Sequence, residues 1–363
     1  MLSLLVTCPQ WLSAVLRDEL QWYDFVVDNT FLTGCLLRGD EKTMMECNLR
    51  SRVASKVYVP LASWKIADFD ALFALLWSIE WNSYIAPLCD MVVTLGWTHS
   101  TLHSQRAVQS VAHKAILTKL TGSRDVRWQI DDRKIKHEIF LYMDRDTITV
   151  YMNTSWPSLH ERWYRKQSWW APIKENLAAG LLLLSGWDRK SAFHDPFCGS
   201  GTLCIEAAML ASNTAPGLTR SFAFEVFPST DGESFVALRE VVESEKTEVT
   251  IPVYGSDIDD GVLTIARENT AIAGFADTIV YLKQDVMALE RLSGYCVTNP
   301  PYGKRVLSDY TFIELYSHVF SLIVQVGWWC VSGWSWCRTI PLVTDFKRYP
   351  LMNWNDEVSF YVY

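Results

Sequence analysis

His194–Met209 reads HDPFCGSGTLCIEAAM. A polar and aromatic lead-in ends at Asp195-Pro196, Gly199-Ser200-Gly201 turns the chain, and an apolar run at helical spacing follows through Leu203, Ile205, Ala207, Ala208 and Leu210. The pattern is that of a strand, a tight turn and a helix. Glycines at such a turn let backbone N–H groups and a helix N-terminus approach a ligand closely. A glycine pair alone serves as well to join a strand to a helix, so the surroundings decide.

Those surroundings repeat the alternation. Asn176–Leu184 reads as an apolar helix, Ser191–Asp195 as a first strand, Val253–Asp257 as a second, Gly261–Ala273 as a helix, Thr278–Leu282 as a third strand and Tyr295–Thr298 as a fourth. Strands alternating with helices predict an open parallel sheet. Ligands of such sheets sit beyond the carboxyl ends of the strands. Asp195, Asp257, Asp285 and Asn299 all fall at those ends, a coincidence that chance explains poorly.

The chain has 363 residues, enough for two or three domains and a sizeable core. Its 49% hydrophobic and 20% charged content excludes disorder. A net charge of −8 suits a nucleic-acid binder badly, but the charge is uneven. Residues 99–175 carry 13 basic against 8 acidic side chains, which fits either RNA docking through one module or an ordinary solvated surface. Nine cysteines without a C-x-x-C pair, and no paired His spacing, predict neither a zinc site nor a disulfide framework. They point to a reducing cytoplasm. No basic-then-apolar leader opens the chain. The uncharged run Val319–Cys337 is long enough to span a bilayer, yet it holds Gln325, two glycines and three serines. A helix end followed by a buried strand is the better reading.

Before the glycine turn, residues 1–60 give strand, helix, two strands and helix, an α+β module of ferredoxin type. Residues 61–155 repeat the mixture, with helical periodicity over Phe69–Ile79 and Gln105–Leu120 and strands at Met91–Leu95, Ile135–Met143 and Thr147–Met152. The last two flank a polar hairpin turn, Asp144-Arg145-Asp146. Residues 156–175 form a connector rich in Arg, Lys and Trp, and residues 176–363 the sheet domain. Basic residues interleaved with aromatics can grip phosphates and stack on bases, and can equally pack a linker against both neighbours.

A second motif, Asn299-Pro300-Pro301-Tyr302, follows the first in the order found in enzymes that methylate exocyclic amino groups with S-adenosylmethionine. The chain resembles the bacterial large-subunit ribosomal RNA guanine-N2 methyltransferases of the RlmL kind in their stand-alone form, which carry a THUMP domain. The resemblance covers nearly the whole length. It is carried by Asn48-Leu49-Arg50-Ser51-Arg52-Val53-Ala54-Ser55-Lys56, Ile79-Glu80-Trp81, Ser104-Gln105, Leu159-His160, Tyr164-Arg165, Ala171–Ala179, Ala215-Pro216-Gly217-Leu218, Gly255-Ser256-Asp257 and Asn299–Gly303.

The resemblance implies a Rossmann-like methyltransferase domain behind ferredoxin-like and THUMP modules, with S-adenosylmethionine as cofactor and large-subunit rRNA as partner. No metal, membrane or obligate protein partner is expected. Asp195, Pro196, Phe197, Gly199, Ser200, Gly201 and Thr202 would hold the cofactor's amino-acid end, Asp257 its ribose and Asp285 its adenine. Asn299, Pro300, Pro301 and Tyr302 would hold the target base. Glu206, a turn into the helix, is expected to cap it or face solvent. Competing readings are an adenine-N6 nucleic-acid methylase, a protein glutamine methyltransferase and a non-enzymatic assembly factor.

One departure recurs. Where the family has Gly, this sequence has Trp at positions 11, 22, 156, 163, 169 and 354, whereas Trp81 and Trp187 match family tryptophans. Gly makes up 17 of 363 residues, under the usual level of about 7%. The pattern fits one codon, UGA, that the source reads as Gly and that stands here as Trp. Ordinary drift is the competing account.

Overall fold

The protein is described by a computed structural model covering residues 2–86, 90–98, 102, 104–122, 136–165, 173–301, 312–326, 329–333, 347–353 and 356–362. The chain opens with β1 (Leu2–Thr7), α1 (Ser13–Trp22), β2 (Val26–Phe31), β3 (Gly34–Gly39), α2 (Glu41–Arg50) and β4 (Lys56–Lys65). That order is the ferredoxin-like pattern predicted from the alternation, completed by β4. Asp40 starts α2 through a reciprocal capping box with Thr43.

Then come α3 (Phe69–Ser78), β5 (Met91–Thr98), α4 (Gln105–Thr121), β6 (His137–Asp144) and β7 (Thr147–Asn153). Asp68 and Ser104 cap α3 and α4, and Gly122, left-handed at φ 68°, ends α4. Arg145 and Asp146 turn the β6–β7 hairpin with φ of 46° and 64°, the double positive φ of a two-residue hairpin loop.

These strands form one sheet in the order β2-β3-β1-β4-β7-β6-β5. Residue 60 lies inside β4, whose first part pairs with β1 and whose length pairs with β7. The front half is therefore two modules stitched by one shared strand.

The remainder comprises α5 (Glu175–Ser185), β8 (Phe193–Asp195), α6 (Thr202–Ala211), α7 (Gly232–Ser244), β9 (Val253–Asp257), α8 (Asp260–Ile272), β10 (Ile279–Lys283), β11 (Tyr295–Thr298), α9 (Phe312–Val326), β12 (Trp329–Gly333), β13 (Lys347–Asn353) and β14 (Asp356–Val362). Its sheet runs β10-β9-β8-β11-β12-β14-β13. The first five are parallel, and β14 and β13 close the edge antiparallel. The uncharged run from Val319 divides between the end of α9 and β12, and no described helix is long and apolar enough to cross a membrane.

One apolar core is continuous from Leu4 through Leu177 to Val297, so the front half and the sheet domain share buried surface. A smaller cluster under α9 gathers Val286, Cys296, Tyr316 and Phe320.

The described tryptophans differ in burial. Trp81 and Trp187 are buried, and their indole N–H groups donate to the carbonyls of Leu76 and Ser191. Trp11 is exposed and sits at φ 75°, where a side chain is strained and glycine is not. Trp22 is exposed beneath Arg189, and Trp156 and Trp163 are half-buried. Trp169 and Trp354 lie outside the described residues.

Candidate active site

The sheet order reverses between β8 and β11. From β8 the chain builds outward through β9 and β10, then returns to lay β11 on the other side of β8. The register sets Tyr295 beside Phe193 and Cys296 beside His194, so β11 runs on past the end of β8 and carries Thr298 and Asn299 just beyond Asp195. This is the switch point at which open α/β sheets leave a crevice.

A hydrogen bond joins the two strand ends there. Thr298 Oγ1 donates to Asp195 Oδ1 at 2.5 Å, and the Phe197 N–H donates to the same oxygen at 3.1 Å. Asp195 is buried, and burial pushes its carboxyl up to about 7 despite these donors. His194, just before it, is also buried, which lowers its ring to about 4. Ser293 N–H donates to Nδ1 at 3.3 Å, so the neutral ring carries its proton on Nε2 and donates to Ser256 Oγ at 3.1 Å. His194 thus pins β8 to β9 and to the loop before β11.

The glycine turn is braced from the second strand. The Gly199 N–H donates to Asp257 Oδ2 at 3.1 Å, and the Asp259 N–H to Oδ1 at 3.1 Å. Burial raises Asp257 above the usual carboxylate range. Asn269 of α8 donates to the Ser200 carbonyl at 3.2 Å. Gly199 and Gly201 have φ of 52° and 85°. A Cβ on Gly201 would run into the Tyr281 hydroxyl, whereas one on Gly199 would meet open space. The N-cap of α6 is Gly201, which offers no side-chain acceptor to the first N–H groups.

A buried and a half-buried carboxylate, an open glycine cradle and a helix start without a side-chain cap fit a ligand bearing both an ammonium and a carboxylate. Pro196 and Thr202 are buried, and Phe197 is half-buried at the same turn. At the third strand, Asp285 caps the short turn Val286–Ala288 by accepting from Met287 N–H at 2.9 Å. The Gln284 N–H donates to the Asp257 carbonyl at 2.9 Å, which holds Asp257 and Asp285 close.

Asn299 is half-buried directly after β11 and Pro300 is buried. The Pro301 carbonyl accepts from the Tyr316 hydroxyl of α9 at 3.3 Å, which ties the proline loop to the helix behind it. Tyr302 lies outside the described residues.

Glu206 corrects the sequence reading. It neither caps α6 nor faces solvent but is fully buried. Arg162 Nε lies 3.3 Å from Glu206 Oε1, and the Tyr164 hydroxyl donates to it at 2.9 Å. A carboxylate can be buried only with such partners, and they come from the connector. Arg162 Nη2 also donates to the Arg52 carbonyl at 2.7 Å. Arg165 Nη2 donates to Thr202 Oγ1 at 2.5 Å and to the Ile173 carbonyl at 2.9 Å. Arg162 and Arg165 are therefore spent inside the protein, and the packed-linker reading holds for these two.

The segment around Asn48 is likewise a junction. Asn48 donates to Thr154 Oγ1 and accepts from Ser155 Oγ, while the Gly217 N–H donates to the Leu49 carbonyl at 2.9 Å. Thr298, His194, Arg162, Tyr164 and Arg165 have roles that the one-dimensional reading did not assign. Their one sequence signal is a polar residue adjoining a motif.

The family described as "RMKL-like, methyltransferase domain" matches residues 162–336, and the "RlmL ferredoxin-like domain" matches residues 3–58. The chain is 32% identical to "Putative RNA methyltransferase YpsC" of Bacillus subtilis over 91% of this chain and 86% of that protein. It is 31% identical to "Ribosomal RNA large subunit methyltransferase K/L" of a Marinomonas species over 92% of this chain, but it spans only 47% of that longer protein. A solved structure described as "a putative methyltransferase complexed with SAH" superposes with a TM-score of 0.88 at 28% identity, covering 100% of this chain and 97% of the other.

Proposed function

From the premise that the chain belongs to the RMKL-like methyltransferase family, we propose that it transfers a methyl group from S-adenosylmethionine to the 2-amino group of a guanine in large-subunit ribosomal RNA. The observation that carries this reading is the bond between Thr298 and Asp195, which sets the proline motif beside the glycine turn at the switch point. RNA as substrate is supported by what the relatives are named for.

S-adenosylmethionine, when bound, supplies a methyl on a sulfonium with a good leaving group. The Gly199–Thr202 turn and Asp195 would hold its amino-acid end, Asp257 its ribose and Asp285 its adenine. A guanine amine is a weak nucleophile because its lone pair is delocalised into the ring. The Asn299 side-chain oxygen and the Pro300 carbonyl accept hydrogen bonds from that amine and favour a pyramidal nitrogen. No strong base is needed, and Asn299 could not serve as one. Tyr302 would stack on the flipped-out base, and the two prolines keep the loop rigid. The alignment of amine and methyl accounts for most of the acceleration.

The residues 61–155 take the role of the THUMP module, with the exposed Arg106, His113 and Lys114 of α4 available to phosphates. Cys8, Cys35, Cys47, Cys198, Cys204 and Cys296 are buried free thiols, which suits a reducing cytoplasm. The test is to methylate rRNA with the purified protein, digest it and separate the nucleosides by mass spectrometry. N2-methylguanosine is expected. N6-methyladenosine would overturn the base assignment, and methylation of a protein glutamine the substrate class.

A further inference from the structure

Arg165 stands where two helices begin. Its Nη2 donates to Thr202 Oγ1, at the first residue of α6, and to the Ile173 carbonyl two residues before α5. Its Nε lies 3.1 Å from Glu175 Oε1, at the first residue of α5. Thr202 and Glu175 are both buried. Burial pushes Glu175 up to about 7, and the Arg165 charge opposes the rise. The N-cap of α6 is Gly201, so no side chain caps the helix there. The turn before it contains two left-handed glycines, the residues with the most freedom to lose.

We propose that Arg165 is a positioning residue for methyl-donor binding, which holds the start of α6, and through it the Gly199–Gly201 turn, in the receiving conformation through the Thr202 hydroxyl. Arg165 touches no reacting atom. It places the connector, and hence the front half that the connector leads from, in mechanical contact with the donor site. The planar guanidinium meets two hydrogen-bond acceptors through Nη2 while its charge faces the Glu175 carboxylate, an arrangement that a lysine ammonium on a flexible stem cannot match.

This proposal rests on the reading of the glycine turn as the donor site. The experiment measures S-adenosylhomocysteine affinity by calorimetry for the full chain, Arg165→Met, Arg165→Lys, Thr202→Val and the Met/Val double variant. Arg165→Met is expected to weaken binding about tenfold, the scale of one hydrogen bond from a charged donor, with partial recovery in Arg165→Lys. Thr202→Val should lose a similar factor, and the double variant no more than the larger single loss, because both remove one contact. Amide exchange at residues 201–205 should speed up in ligand-free Arg165→Met.

Affinity within twofold of the original in Arg165→Met, with only a lower melting temperature, would overturn the proposal and leave Arg165 a structural cation. Losses that multiply in the double variant would also overturn it. If Arg165→Met does not fold, Thr202→Val with unchanged affinity overturns it on its own. Absence of binding by the original chain would refute the donor site itself, and is thereby distinguishable.

Discussion

Thr298→Val removes one hydroxyl and almost no volume, so it isolates the bond that joins the two motifs. The Thr298 hydroxyl donates to Asp195 Oδ1 at 2.5 Å in a site where both residues are buried. The Asp195 carboxyl already stands at about 7. A hydrogen bond to a charged group contributes about 1.5–3 kcal/mol, and 1.36 kcal/mol moves a titration by one pH unit. Its loss should therefore carry Asp195 to about 8–9. If the carboxylate must be ionised to receive the donor's ammonium, affinity follows the ionised fraction.

At pH 7 that fraction is about one half in the original chain and roughly one in ten to one in a hundred in the variant, so binding weakens about five- to fiftyfold. At pH 9.5 both are mostly ionised and the two should agree within about twofold. The assay is calorimetric titration with S-adenosylhomocysteine at half-unit steps from pH 6 to 9.5, read as the ratio of affinities. The ratio cancels the titration of the ligand's own amine. A loss independent of pH would refute the argument that Thr298 acts through the charge of Asp195.

Asp195→Asn should raise stability while abolishing donor binding. The folded carboxyl holds its proton up to about 7 whereas the unfolded one releases it near 3.8. Stability is therefore lost as pH rises between those values, with the deficit complete above 7. The variant should gain least at pH 4 and most at pH 8, by on the order of a few kcal/mol in urea melts, and a gain that does not vary with pH would contradict this. Gly201→Ala should lose both stability and ligand affinity, because φ 85° and the Tyr281 hydroxyl each exclude a Cβ. A variant that melts and binds like the original would show that the turn is not packed as described. Trp11→Gly should stabilise the chain by about 1 kcal/mol, since position 11 is left-handed at φ 75°. The codons at positions 11, 22, 156, 163, 169 and 354 should read UGA, and UGG at all six would leave drift as the account.

The methyltransferase domain was legible because its signals are local. A glycine turn between an apolar strand and an apolar helix, and polar residues at four strand ends, follow from backbone sterics and from the period of side-chain burial. Asp195, Gly199, Gly201, Asp257 and Asn299 could therefore be singled out from spacing and motif. The βαββαβ order of the front module was legible for the same reason, up to its fourth strand. Sequence could not show that β4 belongs to both front modules, because strand sharing depends on pairing between residues nearly a hundred positions apart, such as Tyr58 with Asn153.

It misplaced Glu206, since a carboxylate at a helix position is read as exposed until its partners are known, and those partners, Arg162 and Tyr164, lie more than forty residues away. The connector shows the limit most clearly. Its composition admitted both an RNA grip and a packed linker, because basic and aromatic side chains serve either. For its described residues tertiary structure decided, by burying Arg162 and Tyr164 against Glu206 and setting Arg165 at the starts of α5 and α6. What the sequence determined by itself is which segments form elements and which residues face their ends. Which distant polar groups satisfy one another in the interior was decided by the tertiary fold, since burial makes each unpaired group costly and only the folded chain brings the partners together.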